Sequence, residues 1–445
     1  MNFIDKFVLP PTPEHAALLN VIQVLAMLMF IPYSGMITGG LILSLILGNK
    51  GKTDPLKKQF SVDIIQKLLL NKKIGYTLGI IPLVTIILVY FQFLYGNRMV
   101  SLNLMILATI LFIIGFIFMY RYVNRQKLFE LLKERSNDDN STIELLEEYN
   151  KISGGELTHR AGVISITFIL LSMFLFVGSV TVTANPLKWE SIQNVWEFII
   201  DSEIWLNFLF YILLALIIST SAILYFFLVW QGGIKNRTLE YLEYVKLFSS
   251  KLGLLMTIIS PVFIALSLFF LPQLSLSPII YVLTFVAFAI IIIIGNLYYQ
   301  LLKTSASGLT AGIFFTVFVL LSILIVKDQL VLGNAIKPHL SSVVFVKAEE
   351  LSKEREANLT TTTGIDAEKI FNEKCSACHK FDVKVVGPPY NETVPKYNGD
   401  IKKLAGYIYS PQKINPEYPP MPNQGLKQKE AEAMAKWLID KVGKK

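Results

Sequence analysis

Cys375-Ser376-Ala377-Cys378-His379 is the stretch of this chain whose residue types and spacing could do chemistry. C-x-x-C-H is the pattern of covalent haem attachment. Two thioethers hold the porphyrin vinyl groups, and the imidazole of His379 is expected to reach the iron. Cys375 and Cys378 are the only 2 cysteines among 445 residues, so neither can join a disulfide framework or a four-cysteine zinc site. The competing reading, a surface dithiol followed by an unrelated histidine, leaves the residues downstream without a purpose. One covalently bound haem c is therefore expected. In bacteria haem is attached to this motif outside the cytoplasmic membrane, so the rest of the chain must deliver Cys375 there.

A second iron ligand is expected from Pro419-Pro420-Met421-Pro422, which holds a methionine in a stiff, extended loop. A thioether is a soft, weak ligand suited to haem iron in electron transfer. The alternative for Met421 is core packing, but prolines on both sides argue against a buried helical position. Met434 is the other methionine in this region, and helical spacing assigns it to the core. Three further histidines exist, His15, His159 and His339. None falls inside an apolar run, where a transmembrane b-haem relay would need them. A second, non-covalent haem or a quinol site involving His15, with His339 or a methionine, is the alternative use of these residues.

The elements that carry these groups begin with the membrane. Hydrophobic residues make up 53% of the chain and charged residues only 17%, against roughly 25% charged in soluble proteins. Eight runs, near 17–48, 75–95, 101–120, 162–184, 207–230, 253–271, 277–298 and 308–326, suffice to cross a bilayer, which takes about 20 helical residues. The loops at 49–74, 121–161, 231–252 and 299–307 together carry 19 Lys or Arg, while the opposite loops carry only Arg98 and Lys188. That bias predicts an amino terminus outside and, after eight crossings, an outside exit. It agrees with the demand of haem attachment. The formal charge of +8 is spread over the whole chain, and no nucleic-acid partner is expected. No cleavable signal is expected at the amino terminus, where Asp5 and the Pro10-Pro11-Thr12-Pro13 stretch precede the first apolar run.

Within this frame the first run is too long for one straight span and carries Pro32 with Gly39 and Gly40. A short outer segment before a span, or one kinked helix, are both compatible with it. The glycines are expected to let helices approach closely. Residues 189–206 read as one amphipathic helix in the outer interface, and 57–73 as a basic surface helix on the inner side. The expected organisation is an all-α chain: a transmembrane domain over 1–326, a polar outer tether over 327–364, and a small haem domain over 365–445.

That last region resembles the class I c-type cytochromes. The shared features are an opening helix with Phe371, the CSACH motif, Gly387-Pro388-Pro389, a helix over Ile401–Tyr409, and the P-P-M-P loop before a closing helix. The resemblance implies that the Pro388 carbonyl faces the proximal His379. An outer-side histidine before the first span, His15, is faintly similar to the large subunit of bd-type quinol oxidases. The intramembrane ligands and proton-route residues of that family have no match here.

These readings converge on a multi-pass protein of a bacterial cytoplasmic (inner) membrane that passes single electrons on its outer, periplasmic face. Its expected partners are the lipid bilayer and a redox protein or membrane electron-transfer complex, respiratory or other. Six-coordinate iron between His379 and Met421 would leave no open site for oxygen chemistry. The second reading is a quinol:cytochrome c oxidoreductase or oxidase subunit, with quinol bound near His15 or residues 185–206. The third is a transporter with a fused redox sensor.

Overall fold

In lipid a backbone N–H has no water to bond, so uncharged runs of Leu, Ile, Phe and Ala satisfy their own carbonyls as helices. The computed structural model follows that rule. It describes residues 13–50, 54–69, 72–97, 99–135, 155–234, 237–304, 308–361, 365–414, 416 and 418–443, and every regular element among them is helical. In chain order the helices before the haem motif are α1 (Pro13–Lys50), α2 (Pro55–Leu68), α3 (Lys72–Phe93), α4 (Val100–Arg135) and α5 (Gly155–Thr183). There follow the short α6 (Lys188–Ser191) and α7 (Val195–Ile200), then α8 (Ser202–Leu228), α9 (Leu239–Phe270), α10 (Pro278–Lys303) and α11 (Gly308–Thr361). Among the described residues eight helices, namely α1, α3, α4, α5, α8, α9, α10 and α11, are long and apolar enough to cross a membrane. The expected turn over Ser136–Thr142 lies outside the described residues, as does Arg98.

The first apolar run is one helix. α1 has 38 residues, about 57 Å at 1.5 Å per residue, with Pro32 inside it. It is central to the unit, packing on α2, α3, α5 and α8. Its glycines are contact points. A Cβ on Gly35 would come within 2.6 Å of Ile218 Cδ1, and one on Gly39 would collide with Ser219 and the Ala215 backbone, both on α8. Small residues at such crossings let two backbones approach. Ser219 Oγ, on α8, donates to the Met36 carbonyl of α1 at 3.1 Å.

Three expectations about secondary structure need correction. Residues 189–206 do not form one interfacial helix. Asn194 accepts from Glu197 N (3.0 Å) to start α7, and Asp201 accepts from Ile204 N (3.0 Å) to start α8, so capping side chains divide the stretch. Ile192 and Phe198 turn inward, while Trp196 and Ile200 are each 76% exposed. The polar tether expected over 327–364 is helical over most of its length, because α11 runs from Gly308 to Thr361. Its run Lys347-Ala348-Glu349-Glu350-Leu351 and the residues after it are strong helix formers. Val343–Val346, which by composition could read as a short strand, lie within the same helix. Finally, the basic surface helix expected over 57–73 ends at Leu68, and its apolar face is turned into the protein. Phe60, Ile64, Ile65 and Leu68 of α2 are fully buried, and Phe60 packs edge-on against Phe227 and Tyr241.

The chain divides into two units, Met1–Val344 and Phe345–Lys445. The second has its own core. Its helices after α11 are α12 (Ala367–Ile370), α13 (Tyr390–Thr393), α14 (Ile401–Tyr409) and α15 (Gln428–Val442). Phe371, Leu404, Ile408, Leu426, Met434 and Leu438 are buried together, with Phe381 and Trp437 packed against them. Met434 therefore lies where its spacing in α15 predicts.

Candidate functional site

Asp366 starts the approach to the haem motif by accepting from Lys369 N at 2.9 Å. α12 then widens into a π turn over Phe371–Cys375, closed by Ser376 N on the Phe371 carbonyl at 2.8 Å. The turn directs Cys375 into the core, where it is 5% exposed, while Cys378 is half-buried. Burial pushes the Cys375 thiol up from its ordinary value. The Tyr390 hydroxyl beside it is raised too, first by its own burial and then by Cys375.

After the motif the chain doubles back. Val386 N and Gly387 N donate to the Cys378 carbonyl at 3.3 and 2.9 Å, and Tyr390 N donates to the Lys380 carbonyl at 3.0 Å. This return brings the Pro388 carbonyl to 3.0 Å from His379 Nδ1. A carbonyl can only accept, so Nδ1 carries the proton and Nε2 keeps its lone pair. Two residues complete the imidazole's surroundings: Tyr390, which sequence reasoning did not single out, and Gly387, which it noted only as part of the Gly387-Pro388-Pro389 motif. Tyr390 stacks on the His379 ring with centroids 5.0 Å apart and planes at 27°. A Cβ on Gly387 would come within 2.6 Å of Nε2 and 2.7 Å of Nδ1, so only glycine lets the backbone pass so close to the ring. No spacing rule points to either. The GPPY stretch carries the signal only once the chain's return is known.

His379 and Met421 line one cavity of about 510 Å³, together with Cys375, Cys378, Pro388 and Leu404. Ligand cavities commonly span about 300–1,000 Å³. Met421 is half-buried there, and its proline neighbours Pro420 and Pro422 are exposed. The loop is tied to the proximal side by Lys374 Nζ, which donates to the Gln424 carbonyl at 3.1 Å. Gly425, at φ 64°, then turns the chain into α15. Imidazole, thioether and two thiols around one apolar hollow fit a covalently held haem. The site could hold its iron between a nitrogen and a sulfur donor.

The histidines considered for a second site behave differently. His15 is half-buried in α1. His339 Nε2 donates to the Tyr95 carbonyl at 3.1 Å, and the ring meets Trp189 edge-on at 5.8 Å. Neither lines the cavity found in the first unit. The structure thus gathers Cys375, Cys378, His379, Pro388 and Met421 around one cavity. Lys327, read from sequence as the first residue past the last span, lies buried inside α11 at 4% exposure.

Comparison with known proteins bears on the second unit alone. The cytochrome c family profile matches residues 365–440. Cytochrome c-551 of Pseudomonas denitrificans is 34% identical over 76 residues, which cover 93% of that protein and 16% of this chain. Cytochrome c-551 of Pseudomonas aeruginosa is 34% identical over 85 residues (75% and 17%), and that of Azotobacter vinelandii 33% over 76 (93% and 16%). No solved structure matches. Through the domain that holds Cys375, Cys378 and His379, the chain belongs to the cytochrome c family.

Proposed function

We propose that this protein is a membrane-integral c-type cytochrome that passes single electrons on the outer face of a bacterial cytoplasmic membrane, within a respiratory or other membrane redox complex. The observation that carries the reading is the pairing of His379, its Nδ1 bonded to the Pro388 carbonyl, with Met421 in one cavity that also holds both cysteines. A haem c bound there would take up and release one electron at its iron.

The chain's own residues do the rest. Cys375 and Cys378 anchor the porphyrin, so the cofactor stays with the protein through every redox cycle. His379 and Met421 would hold the haem iron from the two walls of the cavity, leaving no open position there for oxygen or peroxide. The Pro388 carbonyl fixes the imidazole's tautomer and orientation and makes Nε2 a better donor, as such partners do at metal sites generally. Tyr390 and Gly387 hold the ring in place by stacking and by close approach. The apolar wall of Leu404, Ile408 and Leu438 lowers the local dielectric, one of the protein's means of setting a potential.

The outer-face assignment rests on the lysine bias of the loops and on where haem is attached to C-x-x-C-H motifs. The ligand assignment is tested by replacing Met421 with Ala. The oxidised wild-type protein should show the weak near-infrared band of methionine-to-iron charge transfer, and the variant should lose it while keeping its covalent haem. Persistence of the band in the variant would sink the assignment.

A further inference from the structure

The first unit contains a cavity of about 190 Å³ between α1, α3, α5, α8, α9 and α11. Its wall includes Ala184 just beyond the end of α5, Glu203 at the start of α8 and Leu271 just beyond the end of α9. All three belong to the end of the bundle that carries few lysines. α11 contributes Lys327 and Asp328, some twenty residues from Gly308, or about 30 Å along a helix, which matches the hydrocarbon thickness. The cavity thus has a polar margin at the membrane boundary and an apolar body reaching inward.

The margin is built and not incidental. Lys327 is 4% exposed, and its Nζ lies 2.9 Å from Asp328 Oδ1. Glu203 is 3% exposed and is held by Lys188 Nζ at 2.9 Å and Asn185 Nδ2 at 3.3 Å. Asn207, one turn further along α8, donates to Thr181 Oγ1 at 3.0 Å. Ionisable groups inside a membrane bundle are costly and mark functional sites by default. Aromatic rings of Phe176, Phe210 and Tyr211 flank the inner part.

We infer that this cavity binds the ring of a membrane quinone or quinol, with its polar margin at Glu203, Asn207, Lys327 and Asp328. Four properties favour that occupant. The volume is below the roughly 300 Å³ at which whole drug-sized ligands are enclosed, so it suits one ring whose tail stays in lipid. Flat aromatic walls stack well on a flat ring. Donors (Lys327, Asn207) and carboxylate acceptors (Glu203, Asp328) stand on one margin, so both the carbonyls of a quinone and the hydroxyls of a quinol find partners. A phospholipid phosphate is disfavoured by the same two carboxylates. The choice of a redox lipid rests on the electron-transfer reading of the chain, and the position of the site rests on the cavity alone.

The test uses the full-length haem protein in lipid nanodiscs, with an azido-ubiquinone and an azido-menaquinone of short tail as photoactivated probes. Cross-linking is expected to saturate, to be competed by unlabelled short-chain quinone, and to map to peptides of α5, α8 and α11. Lys327→Met, which removes a donor, and Val180→Phe, which fills the hollow, should each raise the half-saturating concentration by about tenfold or more. Lys413→Met, in the second unit, should leave it unchanged. Unsaturable labelling, labelling confined to other helices, or competition by phospholipid but not by quinone would overturn the inference. Mapping on the unmodified chain keeps it falsifiable even if a variant fails to fold. Ascorbate reduction of the haem in the same sample separates the two readings. Normal reduction without quinone binding sinks the cavity site alone, whereas absence of a reducible haem sinks the electron-transfer reading.

Discussion

Around His379 the limiting interaction is steric. Gly387 passes so near the imidazole that a Cβ would stand 2.6 Å from Nε2, well inside ordinary contact. Gly387→Ala must therefore push the ring away from the Pro388 carbonyl or shift the chain between Cys378 and Tyr390. Overpacking of this kind costs about 1–3 kcal/mol. We expect denaturant unfolding, followed by haem absorbance, to show a midpoint lowered accordingly, and the methionine charge-transfer band to weaken as the imidazole moves. An alanine variant with both properties unchanged would show that the close approach carries no weight. Tyr390 acts at the same scale: its ring presses on the imidazole and its hydroxyl sits beside the buried Cys375 thiol.

Among the elements, α2 shows how a loop helix is locked to the membrane bundle. Asp63 of α2 is 3% exposed. It receives Arg237 Nε at 3.0 Å and Arg237 Nη2 at 2.7 Å, and Tyr241 Oη at 2.5 Å. Arg237 stands just before α9 and Tyr241 in its first turn, so one carboxylate joins two segments that are distant in the chain. Removing one partner of a buried pair leaves the other charge uncompensated, at a cost of about 3–5 kcal/mol. Arg237→Met should lower the thermal midpoint of the membrane unit in detergent. The double variant Asp63→Asn, Arg237→Met should recover part of the loss. Equal losses in the single and double variants would show that an unpaired partner is not what the single change costs.

At the scale of the whole molecule, sidedness and the route of electrons can each be measured. The only cysteines belong to the haem motif, so single introduced cysteines are clean reporters. In intact spheroplasts a membrane-impermeant maleimide should label Lys384→Cys, while Lys127→Cys in α4 should react only after permeabilisation. The reverse pattern would overturn the outside-start topology. The haem domain is basic, with 14 Lys or Arg against 10 Asp or Glu over residues 364–445. Two lysines beside the cavity are already engaged, Lys374 on the Gln424 carbonyl and Lys384 over the Tyr418 ring at 4.4 Å. Charge steering acts mainly on association rate and is screened beyond roughly 10 Å at 0.1 M salt. Eight spans exceed what a tethered diffusible carrier requires. If the domain works within a membrane redox complex, haem reduction by a membrane donor, followed by stopped flow, should be nearly independent of salt up to about 0.5 M. A steep fall in rate with salt, with the complex intact, would assign the domain to diffusive exchange instead.

Two features of this protein follow from sequence because each is decided locally. Haem attachment depends on five consecutive residues, Cys375 to His379. The eight long apolar helices depend on composition averaged over windows of about twenty residues, which tolerates errors at either end. The remaining features depend on residues that meet only in space. Whether a carbonyl reaches His379, and that it is the Pro388 carbonyl, depends on the return of the chain after Phe381. The division of 188–200 into α6 and α7 depends on which capping side chain finds a free backbone N–H. Lys327 looked like the end of a span because charge ends a hydropathy window. α11 nevertheless continues past it, since Asp328 and the surrounding helices give that ammonium a partner and a cover that no linear window contains.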